Sequence, residues 1–244
     1  MESLNKVWAH LITAQDQPPW WAVLLAALAA LVIVLSSTSW QLSRGLVTIA
    51  HEGGHAVAAV LTRRKLQGIR LHSDTSGVTL TRGRPTGPGM ILTALAGYVA
   101  PSLLGLGGAW LVSTGYVTIL LWAVLALLLC MLLLIRNLFG VVSLLATGGA
   151  VFALSWFASG EVQAICAYLA VWFLLFGGVR PILELQRKRR YGRAANSDAD
   201  QLARLTLFPA GFYILFFLLV AALSLVAGFT MMVPLPPSFD LPLP

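Results

Sequence analysis

The stretch Leu46–Thr62, LVTIAHEGGHAVAAVLT, puts His51, Glu52 and His55 inside a run that is otherwise apolar enough to lie in lipid. Unpaired polar or ionised groups are costly in a bilayer, so such a trio marks a site that binds or uses it. On a helix, residues four apart lie about 40° apart around the axis and one turn along it. His51 and His55 therefore face the same way and can hold one metal through their imidazole nitrogens. Glu52 is rotated by about 100° from His51, near enough to take a proton from a water at the metal but angled away from ligation. The pattern is that of a zinc peptidase helix, with one zinc ion as cofactor and Glu52 as general base for peptide-bond hydrolysis. The competing reading is a set of interhelical hydrogen bonds or a proton path. Gly53 and Gly54 leave room against the metal face or serve close helix packing.

The rest of the chain supports a membrane setting. Of 244 residues, 58% are hydrophobic and 10% charged, and the mean hydropathy is +0.84, well above that of soluble domains. The expectation is a single integral membrane domain over 1–244, all-α and polytopic, with about seven transmembrane helices near 20–42, 45–61, 88–112, 115–135, 137–158, 162–180 and 207–229, each measured against the roughly 20 residues a crossing needs. Cys130 and Cys166 both fall in apolar segments, which argues for neither a disulfide framework nor a cysteine zinc site. The net charge of +7 comes from short loops between the spans, so topology explains it and no nucleic-acid partner is expected.

Lys and Arg are retained on the cytoplasmic side, and on this seven-span reading fifteen of the sixteen basic residues fall on one face, with Arg44 the exception. That places the N-terminus in the cytoplasm and the Pro-rich tail MMVPLPPSFDLPLP outside. From His55 to the basic cluster at Arg63 is eight residues, about 12 Å along a helix, so the metal would sit in the membrane near its cytoplasmic face. After the HEGGH helix, GIRLHSDTSGVTLTR reads as a small cytoplasmic β-hairpin over 68–82: a strand, a Ser-Asp-Thr-Ser-Gly turn, then alternating Val78, Leu80 against Thr79, Thr81. Such a hairpin, Gly77 included, can pair with an unwound substrate segment by strand addition. Further on, Asn196 and Ser197 are helix-start candidates ahead of the last span. Asn137, beside Arg136 at the end of the fourth span, either hydrogen-bonds the substrate backbone or the oxyanion, or caps a helix.

The segments HEGGHAVAAVLTRRKLQGIRLHSDTSGVTLT, LAGYVAPSLLG, RNLFG and SDADQLARLT, in that order, resemble the site-2 protease family of intramembrane zinc metalloproteases, and within it the compact bacterial branch without PDZ or CBS domains. The likeness runs from Ile49 to Thr206. It implies cleavage of membrane-protein substrates within or near their transmembrane segments, in a bilayer expected to be the bacterial inner membrane. Better-known members take a third zinc ligand from an aspartate in an NPDG-like or LDG motif, which this chain lacks. In RNLFG, Phe139 stands where that acid would be needed. Asp198, opening the last helix in SDADQLA and matching the branch's own acidic motif, is favoured as third ligand; it reads equally as a first-turn acid stabilising that helix. Asp200 is the reserve and His72 a distant third. The absent motif leaves a rival function: a catalytically inert member of the fold acting as a binding or regulatory partner.

Overall fold

The computed structural model describes residues 14–192 and 197–233. In chain order these form helices α1 (Trp20–Leu35) and α2 (Ser37–Leu61), strands β1 (Lys65–Leu71) and β2 (Gly77–Arg82), then helices α3 (Pro88–Ser113), α4 (Val117–Leu134), α5 (Leu138–Phe157), α6 (Gly160–Arg190), α7 (Asp198–Leu205) and α8 (Ala210–Met232). Five described helices, α3 to α6 and α8, are long and apolar enough to cross a membrane, or six spans if α1 and α2 together count as one.

That count corrects the expected seven. The first helix stops at Leu35 rather than near residue 42, and α1 and α2 meet at a bend of 101°. The cause is local: in SSTS, Ser36 leaves the helical region and its side chain accepts from Ser39 N (3.4 Å), capping the start of a new helix. A helix end leaves unpaired carbonyls, and at this one Arg180 of α6 donates to Val34 O while its Nε bonds Glu184 (3.0 Å). Arg44 stands 3.7 Å from the same Glu184, and both guanidiniums lie over the buried ring of Trp40. The lone exception to the charge pattern is thus an α2 residue beside the Arg-bearing end of α6.

The bend also changes the direction of the first helix. Gln15 N donates to Gly115 O (2.9 Å) and Gln15 Nε2 to Thr118 Oγ1 (2.7 Å), so the described chain starts at the α3–α4 turn. The hairpin lies at the other end of α4, where Arg136 N donates to Ile69 O (2.9 Å). Two antiparallel spans would have started the chain on the hairpin side; here it starts opposite. The expected N-terminal and C-terminal tails, 1–13 and 234–244, lie outside the described residues.

The two strands are antiparallel, Lys65 facing Arg82 and Leu71 facing Gly77, with a bulge between Leu66 and Gly68. Gly68 takes φ +147° there, a backbone that a side chain would strain. The hairpin does not extend beyond the end of α2. Thr48 Oγ1 donates to Thr75 O in its turn (2.7 Å), so the strands fold back along α2 for the 13 residues from Leu61 to Thr48, about 20 Å at 1.5 Å per residue. Its far edge is held by the α4–α5 connection, through a parallel bridge between Ile69 and Ile135.

Three apolar clusters hold these parts. One joins α1, α2, α3, α4 and α6 around Trp40, Tyr168 and Trp172; a second packs α7 between α6, α3 and α8 through Ile182, Leu202, Tyr213 and Phe217; the third seats the hairpin, through Ile69 and Leu71, on α2, α4 and α5. The second and third bring two distant segments, α7 and β2, to the HEGGH face of α2.

Candidate metal centre

The i, i+4 spacing on α2 does what helical geometry requires. His51 and His55 meet edge to face with ring centroids 4.7 Å apart, and their Nε2 atoms are 3.1 Å from each other. Asp198 Oδ2 lies 3.3 Å from each nitrogen. An ion with bonds of about 2.0–2.1 Å and tetrahedral angles separates its ligand atoms by about 3.3–3.4 Å; both edges to Asp198 have that length and the His51–His55 edge is slightly shorter. His55 Nδ1 donates to Thr93 O (2.7 Å), a carbonyl that can only accept; the lone pair of the neutral ring is therefore on Nε2, facing the other two donors. Three lone-pair atoms converging without a cation would repel. The donor set fits a zinc ion, and the described residues contain no other cluster of three such groups.

Asp198 reaches this point because α7 is fixed at its first turn. Ser197 caps it: Ser197 Oγ accepts from Asp200 N (3.3 Å), while Asp200 Oδ2 accepts from Ser197 Oγ (2.6 Å) and N (3.3 Å). This is the reciprocal capping box. Arg189, at the end of α6, pairs with Asp200, and fully buried Ala199 and Leu202 anchor the helix from behind. Capping thus falls to Asp200, which leaves Asp198 free to face the histidines.

Small residues make the space. In place of Gly97 on α3, a Cβ would stand 2.5 Å from His55 Cε1 and 2.7 Å from His51 Cε1, so any side chain there displaces both imidazoles. Gly54 is equally constrained by α3, where a Cβ would come 2.7 Å from Ala96 O, whereas Gly53 has open space. Tyr98 lies edge-on to His51 (4.8 Å) and stacks on Phe217 of α8 (5.1 Å).

Glu52, 3% exposed, turns onto the hairpin. Its Oε2 accepts from Thr79 Oγ1 at 2.6 Å, and a Cβ at Gly77 would stand 2.6–2.8 Å from its Cγ, Cδ and Oε1. Gly77 is therefore where the Glu52 side chain packs. Asn137 has a different place from the one expected. Its Nδ2 donates to Leu71 O (2.6 Å) and its Oδ1 accepts from Leu71 N (3.1 Å), so both ends of the amide extend the β1 ladder, and it makes no side-chain cap to α5. In this structure the amide is hydrogen-bonded to the hairpin backbone. His72 sits in the hairpin turn beside Ser76 (3.3 Å), away from the triangle. Asn196 lies outside the described residues.

Sequence reasoning missed Thr93, Gly97 and Thr79. The alternation of the hairpin already puts Gly77, Thr79 and Thr81 on one face, so Thr79 had a signal; a backbone carbonyl such as that of Thr93 leaves none. A family model described as Peptidase M50B-like matches residues 24–228, which include every residue of the site. Comparison with curated proteins gave no match, and comparison with solved structures gave none either.

Proposed function

The chain belongs to the Peptidase M50B-like family, the site-2 protease family, and from that premise we propose that it is an intramembrane zinc metalloendopeptidase cutting membrane-protein substrates in or near their transmembrane segments. His51, His55 and Asp198 are its ligands and Glu52 its base. The observation that carries this reading is the triangle of two imidazole nitrogens and a carboxylate oxygen at 3.1, 3.3 and 3.3 Å. Zinc, when bound, polarises the scissile carbonyl and brings the pKa of water towards 7. Glu52 takes the proton of the attacking water and gives it to the leaving amine nitrogen. Thr93 keeps His55 in the tautomer that offers Nε2.

Such a protease must unwind its substrate, because a helix hides its peptide bonds. Among the described residues β2 pairs only with β1, and the same strand touches Glu52 through Gly77 and Thr79. A substrate segment added to the open edge of β2 would lie beside the base. The fold belongs in a bilayer, which we assign to a bacterial inner membrane.

Zinc analysis of purified protein tests the reading. Close to one ion per chain is expected in the wild type and in Asp200→Ala, with loss in His51→Ala, His55→Ala and Asp198→Ala. Protein that never carries zinc would overturn the metallopeptidase reading and favour the inert relative, whereas Asp198→Ala protein that keeps zinc would remove Asp198 as the third ligand.

A further inference from the structure

Taking the metallopeptidase reading as given, we propose that Thr79, on the hairpin, is the positioning residue for the Glu52 base. Glu52 has no partner on its own helix that fixes its carboxylate; what fixes it comes from β2. Thr79 Oγ1 is 2.6 Å from Glu52 Oε2 and 3.2 Å from the Glu52 carbonyl. One hydroxyl carries one proton, and the shorter contact, to Oε2, takes it. Gly77 closes the other side against Oε1. Thr79 thus bonds one oxygen of the carboxylate, and the missing side chain at Gly77 makes room for the other.

The hairpin is braced to keep that contact in register. Thr48 ties its turn to α2 (2.7 Å), Asn137 ties Leu71 to α5, and the α4–α5 connection pairs with Ile69. Shifting the strand by one residue would turn Thr79 away from α2 and present Val78 or Leu80 instead. Substrate docked on the open edge of β2 would then bear on the strand that aims the base, so the hairpin links substrate binding to Glu52. Thr79 touches neither the triangle of donors nor the reacting atoms, which makes its role one of orientation.

The test compares Thr79→Val and Thr79→Ser with wild type and Glu52→Gln, measuring kcat, KM and zinc content on a detergent-solubilised membrane substrate. Thr79→Val is expected to lose roughly 10- to 100-fold in kcat, the usual cost of removing an outer-shell partner, with KM and zinc within about twofold of wild type by the same reasoning that its hydroxyl binds neither. Thr79→Ser, which keeps the hydroxyl, should recover most of the rate. A second readout needs no activity: in metal-free protein, the thermal destabilisation of Thr79→Val and Glu52→Ala should be less than additive, because each removes the same bond. Equal kcat in Thr79→Val and wild type, equal loss in the Val and Ser variants, or additive destabilisation would each overturn the proposal. An active Glu52→Gln protein would instead remove the metallopeptidase reading itself.

Discussion

Gly97→Ala separates the fold from the metal site more cleanly than any ligand substitution. On helix propensity alone the change should stabilise α3, since Gly in a helix interior costs about 1 kcal/mol relative to Ala. The new methyl, however, would stand 2.5 Å from His55 Cε1 and 2.7 Å from His51 Cε1, where ordinary contact between such atoms is about 3.5–4.0 Å. Both rings must retreat by roughly 1 Å, and the overpacking costs about 1–3 kcal/mol. In the metal-free protein these effects largely offset, so the thermal midpoint should move by only a few degrees. The metal tolerates far less, because ligand distances in working sites hold to about 0.2 Å. Zinc affinity should therefore fall by at least about 100-fold, the upper end of what disturbed outer-shell support costs. The assay is competition against a chromophoric chelator, alongside thermal melts of the metal-free variant. A Gly97→Ala protein that folds and holds zinc as tightly as wild type would refute the placement of both imidazoles against α3.

Two further perturbations probe the hairpin. Asn137→Leu strips both hydrogen bonds from Leu71 and leaves a part-buried amide and carbonyl unpaired, a loss of about 1–3 kcal/mol; amide exchange in β1 should quicken while zinc content stays constant, whereas unchanged exchange with a raised KM would return Asn137 to substrate binding. In the hairpin turn, the Ser76 hydroxyl (2.6 Å) and amide (3.0 Å) donate to Asp74 Oδ1 and hold its carboxyl below the usual range. A depressed native value makes this contribution complete above about pH 4 and lost as pH falls through the native value. The Ser76 amide shift should titrate with a midpoint below that of an unperturbed Asp, and Ser76→Ala should raise it; a midpoint at the ordinary Asp value would contradict the turn geometry.

The parts of this molecule legible in the sequence are those governed by short-range periodicity. The 3.6-residue repeat put His51 and His55 on one face and alternation marked β2; Asp198 was nominated by the resemblance of SDADQLA to the family's acidic motif, and only packing could show that Asp200 takes the cap. The break at Ser36 was missed because hydropathy runs through it while the signal, a serine cap in a serine-rich tetrapeptide, is polar and local. The bonds of Asn137 to the hairpin left no signal, because its partner, Leu71, is 66 residues away. The hairpin was legible but its course was not, since one side-chain bond from Thr48 to Thr75 decides that it folds back along α2.

The central claim is that Glu52 performs the hydrolysis at a metal held by other residues, and one paired measurement on Glu52→Gln addresses it. Co-expressed with a membrane substrate, the variant should accumulate that substrate uncut while the purified protein still carries close to one zinc per chain. Cleavage at the wild-type rate by a zinc-loaded Glu52→Gln protein would contradict the account.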